Sequence, residues 1–206
     1  MAFPDSKPVA ATVFAKAYFE ALAAAAASVD LGRIAEASTL LDEAHRRGAS
    51  IFACGNGGSA AIANHLVCDH CKGVATDTSL RPRVHSLSAN IEVITAIAND
   101  MSYADIFAFQ LRALGRPGDV LVTISSSGDS ENIVRAADTA KSGGMQVIAL
   151  TGFQGGRSAG IADVNLHVAA DNYGVIEDVH QSLMHILAQW LRLSHMDPSL
   201  IPQRKF

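Results

Sequence analysis

The stretch Cys54-Gly55-Asn56-Gly57-Gly58-Ser59 constrains the fold more than any other part of the chain. Before it, Ala49-Ser50-Ile51-Phe52-Ala53-Cys54 is an apolar run of strand length, and after it Ala60 through Asp69 holds helix-favouring residues with neither Pro nor Gly. Strand, glycine turn, helix is an arrangement in which backbone N–H groups approach an anion closely and the helix N-terminus adds partial positive charge. Ser59 is placed to cap that helix or to give its hydroxyl to a ligand. His65 and Asp69 stand four residues apart and share one helix face. The stretch fits neither GxGxxG nor a P-loop, since no Lys follows the last Gly. A turn of this composition also serves simply as a tight turn.

The rest of the chain repeats the alternation. Asp119 to Ile124, Gln146 to Leu150 and Val164 to Val168 are apolar strand-length runs, with Arg81–Leu87 as a further strand. Helical segments fall between and after them, over 89–99, 105–114, 131–142 and 175–195. Near-continuous apolar strands between helices imply an α/β chain whose parallel sheet is covered on both faces, a three-layer αβα sandwich. Two helices precede the first strand. One is Ala-rich over 9–29, with Phe14, Tyr18, Phe19 and Leu22 at helical spacing; the other runs Leu31–Arg47, opened by Asp30 and ended by Gly48. At 206 residues a single domain is expected: a loose start over 1–8, the helical pair over 9–47, and the αβα core with its closing helix over 48–195.

A net charge of −4 argues against a general nucleic-acid binder. No apolar run reaches membrane-spanning length, and the N-terminus lacks the pattern of a signal peptide. Three Cys fit a reducing cytoplasm better than a disulfide framework. Cys68 and Cys71 form a lone C-x-x-C in a helical setting and read as core thiols rather than a zinc knuckle. Charged residues make up only 17% of the chain, which leaves surface for partner subunits.

A second turn, Ser125-Ser126-Ser127-Gly128-Asp129-Ser130, again joins a buried strand to a helix. Hydroxyls and backbone N–H groups at a helix N-terminus suit a phosphate monoester without requiring Lys or Arg, although a serine-rich turn is also an ordinary cap region. Two such turns at the carboxyl ends of strands in one sheet lie where open α/β sheets bind ligands.

Taken together, Gly55-Asn56-Gly57-Gly58-Ser59, Asn99-Asp100, Gly118-Asp119-Val120-Leu121, Ile124 through Ser130, and Leu150-Thr151-Gly152 with Gly155-Gly156 resemble the sugar isomerase (SIS) domain. The likeness is to its phosphoheptose isomerase branch, which converts sedoheptulose 7-phosphate to D-glycero-D-manno-heptose 7-phosphate in bacterial heptose synthesis. The resemblance runs over about residues 10–195 and implies a five-stranded parallel sheet and a homotetramer with active sites at subunit interfaces. It implies a phosphate site at Ser125, Ser126, Ser127 and Ser130, and sugar contacts from Asn56, Gly57, Gly58, Ser59, Asn99 and Asp100.

The family also places a His and a Glu on the first helix, and a Gln and a His on the closing helix. These act as metal ligands, often for zinc, and as an acid/base pair. They fall on His65, Asp69, Glu177 and His185, so this chain carries Asp where the family has Glu and Glu where it has Gln. The resemblance thus implies Asp69 and His185 as catalytic, Glu177 at the substrate, and zinc or a similar ion on His65, Asp69, Glu177 and His185. Asp reaches about one methylene less far than Glu, a difference that proximity makes significant for catalysis.

Glu177, Gln181 and His185 form one stripe at spacing four, while His180 lies on another face. His70 reads as a surface or interface residue, and His45, His85, His167 and His195 as ordinary polar positions. Lys72 lies near a family Arg. Alternative readings are an isomerase for another ketose phosphate, or a non-catalytic SIS protein that senses a sugar phosphate or binds a protein partner, as the DnaA initiator-associating type does. A carboxylate at 69 with both outer His retained favours the enzyme.

Overall fold

The computed structural model describes residues 3–206. Its strands are β1 (Ser50–Gly55), β2 (Arg83–Ser86), β3 (Val120–Ser125), β4 (Gln146–Thr151) and β5 (Val164–His167). They form a five-stranded parallel sheet in the order β2-β1-β3-β4-β5. The helices are α1 (Ala11–Ala27), α2 (Leu31–Arg47), α3 (Gly58–Cys68), α4 (Ile91–Asp100), α5 (Ala108–Leu114), α6 (Glu131–Ser142), α7 (Gly156–Ile161) and α8 (Tyr173–His195).

Successive strand residues point to opposite faces of the sheet, and here both faces are apolar. Ile51 and Ala53 of β1, Val120, Val122 and Ile124 of β3, and Ile148 and Leu150 of β4 join a core with α2, α3 and α8. Phe52, Cys54, Leu121 and Val147 join a second core with Ile97, Phe107, Leu111 and Ile133 of the other helical layer. Truncating one of these to Ala, for instance Ile148→Ala, costs about 2–5 kcal/mol. α1 lies outside α8 and is tied to it by the Tyr18 hydroxyl, which donates to Asp178 at 2.7 Å. No single helix among the described residues is long and apolar enough to cross a membrane.

α2 starts and stops as its sequence requires: the Asp30 carboxylate accepts from the Gly32 and Arg33 N–H groups, and Gly48 closes it in the left-handed region. Other segments differ from expectation. Ser59 does not cap α3; Gly57 occupies the cap at φ +53, and Ser59 sits buried in the first turn. The helix expected from Asp105 begins only at Ala108, because Asp105 accepts from the Ser102 hydroxyl and from Arg135 and so holds a short 3₁₀ turn, Tyr103–Asp105.

α3 also runs on into a π-helical segment, Asp69–Val74. Such wide turns recur at functional sites. This one sends consecutive residues to different neighbours: Asp69 meets α8, while His70 packs inward against His45 of α2, with ring nitrogens 3.0 Å apart. The expectation of a surface His70 is therefore corrected, since it is 1% exposed. His45 and His195 likewise have partners, His70 and Asp42 respectively. Cys68, at the end of α3, and Cys71, in the wide turn, are exposed rather than core thiols; Cys54 alone of the three is buried.

Burial pushes His45 and His180 down to about 4 and His70 to about 3, so all three are neutral in the folded chain at neutral pH. The unfolded chain binds these protons near pH 6.5, so stability is intact above that value and is lost as the pH falls toward 4. The melting temperature is expected to drop steadily between pH 6.5 and 4.5, the loss approaching about 1.4 kcal/mol per pH unit for each histidine. His180→Asn should flatten that slope in a pH series of thermal melts; a slope unchanged by the substitution would exclude His180 as a contributor.

Candidate active site

The strand order reverses direction between β1 and β3, and there the two turns of interest emerge side by side. Gly55 pairs with Ile124 at the carboxyl ends of the two strands. Asn56 and Asn132 then exchange two amide hydrogen bonds, both 2.9 Å, which lock the glycine turn to the first turn of α6. The Tyr103 hydroxyl adds a third bond, to Asn56 Oδ1 at 3.0 Å.

A cavity of about 130 Å³ lies between these turns, lined by Asn56, Ser59, Ser125, Ser126, Ser127 and Ser130, with Tyr173 and Glu177 of α8 opposite. Ser126 Oγ is buried with no hydrogen-bond partner, an uncommon state for a buried polar atom. Ser130 stands at the cap of α6 without spending its hydroxyl on the helix. The acidic residues beside the turn are neutralised from outside: Arg157 pairs with Asp129 at 2.5 Å, and Arg135 at 2.9 Å and then Arg157 at 3.0 Å pair with Glu131, which holds both carboxyls below their usual range. The cavity is thus a cradle of hydroxyls at a helix N-terminus, suited to an anion of phosphate size.

Further along α3 and α8, Asp69 is held by two imidazoles. His65 Nε2 lies 3.2 Å from Asp69 Oδ1, and His185 Nδ1 lies 2.6 Å from Asp69 Oδ2. The rings stand perpendicular, with centroids 5.0 Å apart. The Gln181 amide N–H donates to His185 Nε2 at 2.8 Å, which leaves Nδ1–H to donate to Asp69. His65, Asp69 and His185 each offer a ligand atom within 4.8 Å of the others. Two imidazoles and one carboxylate, all partly open to solvent, match a catalytic zinc donor set with three protein ligands and a free position.

A second cavity, about 360 Å³, opens beside Asp69 and His185 and is lined in part by Lys72, Gln189 and Lys205. The C-terminal segment forms one wall. Phe206 lies 4.8 Å from the Arg192 guanidinium, while Arg192 and Arg204 both pair with Asp77. That wall has no signal in the sequence, because its contacts span more than a hundred residues.

Glu177 does not stand with His65, Asp69 and His185. It lies eight residues up α8 from His185, about 12 Å along the helix axis, and lines the serine cavity. Its carboxylate occupies the mouth of α3, where a Cβ on Gly58 would collide with it. Burial first, and then the neighbouring Asp178, raise its pKa. Asn99 and Asp100 end α4, exposed and hydrogen-bonded to each other at 2.8 Å, outside the serine cavity. His180 is buried and packs against the sheet, Nε2–H donating to the Thr151 carbonyl at 3.1 Å. Gln181 is the contact that sequence reading left without a role, although its place on the Glu177–His185 stripe was visible.

Residues 16–152 match the SIS domain. The phosphoheptose isomerase of Alteromonas mediterranea is 40% identical over 172 residues, covering 82% of this chain and 84% of the relative. That of Shewanella oneidensis is 39% identical over 173 residues, covering 82% and 85%. Among solved structures, the phosphoheptose isomerase GmhA from Neisseria gonorrhoeae superposes with a TM-score of 0.79 at 34% identity, covering 87% of this chain and 97% of that one. The phosphoheptose isomerase from Francisella tularensis gives 0.82 at 31% identity, covering 90% and 100%. With the sheet order, the paired turns and the imidazole–carboxylate cluster already aligned to one purpose, these likenesses place the chain in the SIS-domain phosphoheptose isomerase family.

Proposed function

We propose that this enzyme interconverts sedoheptulose 7-phosphate and D-glycero-D-manno-heptose 7-phosphate through an enediol, with the phosphate in the serine cradle and C1 and C2 beside Asp69 and His185. The observation that carries this reading is the convergence of Asp69 and His185 from α3 and α8, with Asp69 Oδ2 2.6 Å from His185 Nδ1, on the two helices that also bring Ser59 and Glu177 to the cradle. A phosphate cradle and an acid/base pair are the two parts that isomerisation of a phosphorylated sugar requires.

Asp69 takes a proton from C1 while His185 turns its Nδ1–H from Asp69 to the C2 oxygen, which gives the enediol. His185 then takes the C1 hydroxyl proton at Nδ1 and Asp69 returns its proton to C2, so no net proton is gained or lost. Gln181 holds the His185 ring in the tautomer that faces Asp69. Ser126, Ser127 and Ser130 fix the phosphate, and Asn56 and Ser59 orient the sugar hydroxyls. Glu177 contacts the same end of the substrate. His65, Asp69 and His185 would hold zinc or a similar divalent ion, which when bound supplies Lewis-acid stabilisation of charge on the sugar oxygens.

Exposed apolar side chains, among them Phe19 on α1 and Ile186 and Trp190 on α8, support assembly with further copies into a tetramer. The exposed free thiols of Cys68 and Cys71 suit the cytoplasm.

Incubation with sedoheptulose 7-phosphate, followed by NMR of the anomeric region, is expected to show the aldose product. Asp69→Asn and His185→Ala should each lower kcat by about 10²–10⁴-fold while substrate binding persists. A wild-type chain that binds the sugar phosphate without turnover would refute the catalytic assignment.

Ser126→Ala separates ligand binding from stability. Removing a buried hydroxyl without a partner should leave the melting temperature unchanged or raised, yet weaken phosphate-ester binding by about fivefold or more. A variant that loses stability and keeps its affinity would remove Ser126 from the phosphate site.

Elemental analysis of protein purified without chelator is expected to find one divalent ion per chain, lost in His65→Ala and retained in Glu177→Gln. The same Glu177→Gln variant should bind the sugar phosphate more tightly, since one negative charge leaves the cradle. Loss of metal in Glu177→Gln would return Glu177 to the ligand set.

A further inference from the structure

At the opposite end of the sheet, where α2 and α8 finish and the chain enters β2, an open cleft of about 640 Å³ is lined by His45, Arg46, Arg47, Arg81 and His195. No carboxylate lines it among the described residues. Asp42 stands behind, taking Arg46 at 2.8 Å and His195 Nε2 at 2.5 Å. Arg47 donates to the Gly118 carbonyl at 3.1 Å and has only a loose contact, 3.7 Å, with Glu43. Arg81 bonds the Leu80 carbonyl and has no acidic partner among the described residues.

Basic residues in the last turn of a helix ordinarily offset its partial negative end, and Arg46 and Arg47 do this for α2. That role does not extend to Arg81, which comes from the segment before β2, nor to His45. The His45 ring is 5% exposed and Nδ1 has no hydrogen-bond partner, while Nε2 is taken up by His70. Three guanidiniums and two imidazoles, one of them with a buried ring nitrogen that has no partner, thus line the cleft, and of the guanidiniums only Arg81 has no acidic contact among the described residues. Guanidinium forks match the paired oxygens of a phosphate group.

The geometry points to a second anion site in this cleft, separate from the serine cradle, that takes the phosphate group of a small molecule. Arg47 and Arg81 grip the oxygens, Arg46 and His195, both held by Asp42, frame one side, and His45 forms the floor. The ligand is either inorganic phosphate or a phosphate monoester; the recognition chemistry is shared.

Calorimetric titration of the full-length chain at low ionic strength, with inorganic phosphate and separately with glycerol 3-phosphate, tests this. Two phosphate sites per chain are expected. Arg47→Gln/Arg81→Gln should weaken one of them by about tenfold or more, and Arg81→Lys by less, since charge is kept and the fork is lost. Ser126→Ala/Ser127→Ala should weaken the other site and leave this one alone, so failure of either assignment is read separately. Tighter binding of glycerol 3-phosphate than of inorganic phosphate identifies a monoester site; equal binding identifies phosphate itself. Isomerase turnover without added phosphate should be the same in the double arginine variant, which controls for folding. A single phosphate site per chain that survives the double arginine substitution overturns the proposal. So does an unchanged affinity accompanied only by a lower melting temperature, the signature of charges that merely offset helix ends.

Discussion

The pairing of β1 with β3 is the constraint on which the site depends. β3 is buried throughout and β1 beyond its first residue, so neither can slide without carrying apolar residues into the wrong core. Their register therefore fixes where the glycine turn and the serine turn emerge, and the reciprocal Asn56–Asn132 amide bonds transmit that register into the loops. Ligand-binding loops in this chain are thus positioned by the most rigid part of the structure.

The electrostatic plan of the cradle follows from that placement. The serine cavity is built from hydroxyls and a helix N-terminus with the Glu177 carboxylate opposite, and Asp129 and Glu131 are turned to Arg157 and Arg135. The Asp69 cluster is built from two imidazoles and a carboxylate. Keeping full positive charges away from the cradle leaves the recognition directional, because hydroxyls and N–H groups select geometry more than charge. Lys72 and Lys205 sit at the far cavity, beyond the reacting groups.

Much of this was readable from the chain itself. The strands announce themselves because a doubly covered parallel sheet requires unbroken apolar runs, and α2 because Asp30 and Gly48 satisfy its ends. His65, Asp69 and His185 could be placed on two helices by spacing and by family resemblance, and the structure brings those three together. What escaped reading depends on tertiary contact. No residue pattern marks a helix that widens to π geometry at Asp69, so the inward turn of His70 and the exposure of Cys71 are not legible in the sequence. The pairing of His45 with His70 crosses 25 residues and two elements. Glu177 was grouped with the metal ligands by analogy, whereas eight residues of helix carry its carboxylate to the cradle.

The contact between Gly58 and Glu177 ties the fates of two sites distant in the chain. With the Glu177 carboxylate seated over the mouth of α3, a Cβ at position 58 requires the end of that side chain to move. A shorter residue at 177 would release that restriction and permit alanine at 58, with its better helix propensity. A side chain at 58 and the present seat of the Glu177 carboxylate therefore exclude one another, so what α8 presents to the turn depends on the glycine as much as on Glu177 itself.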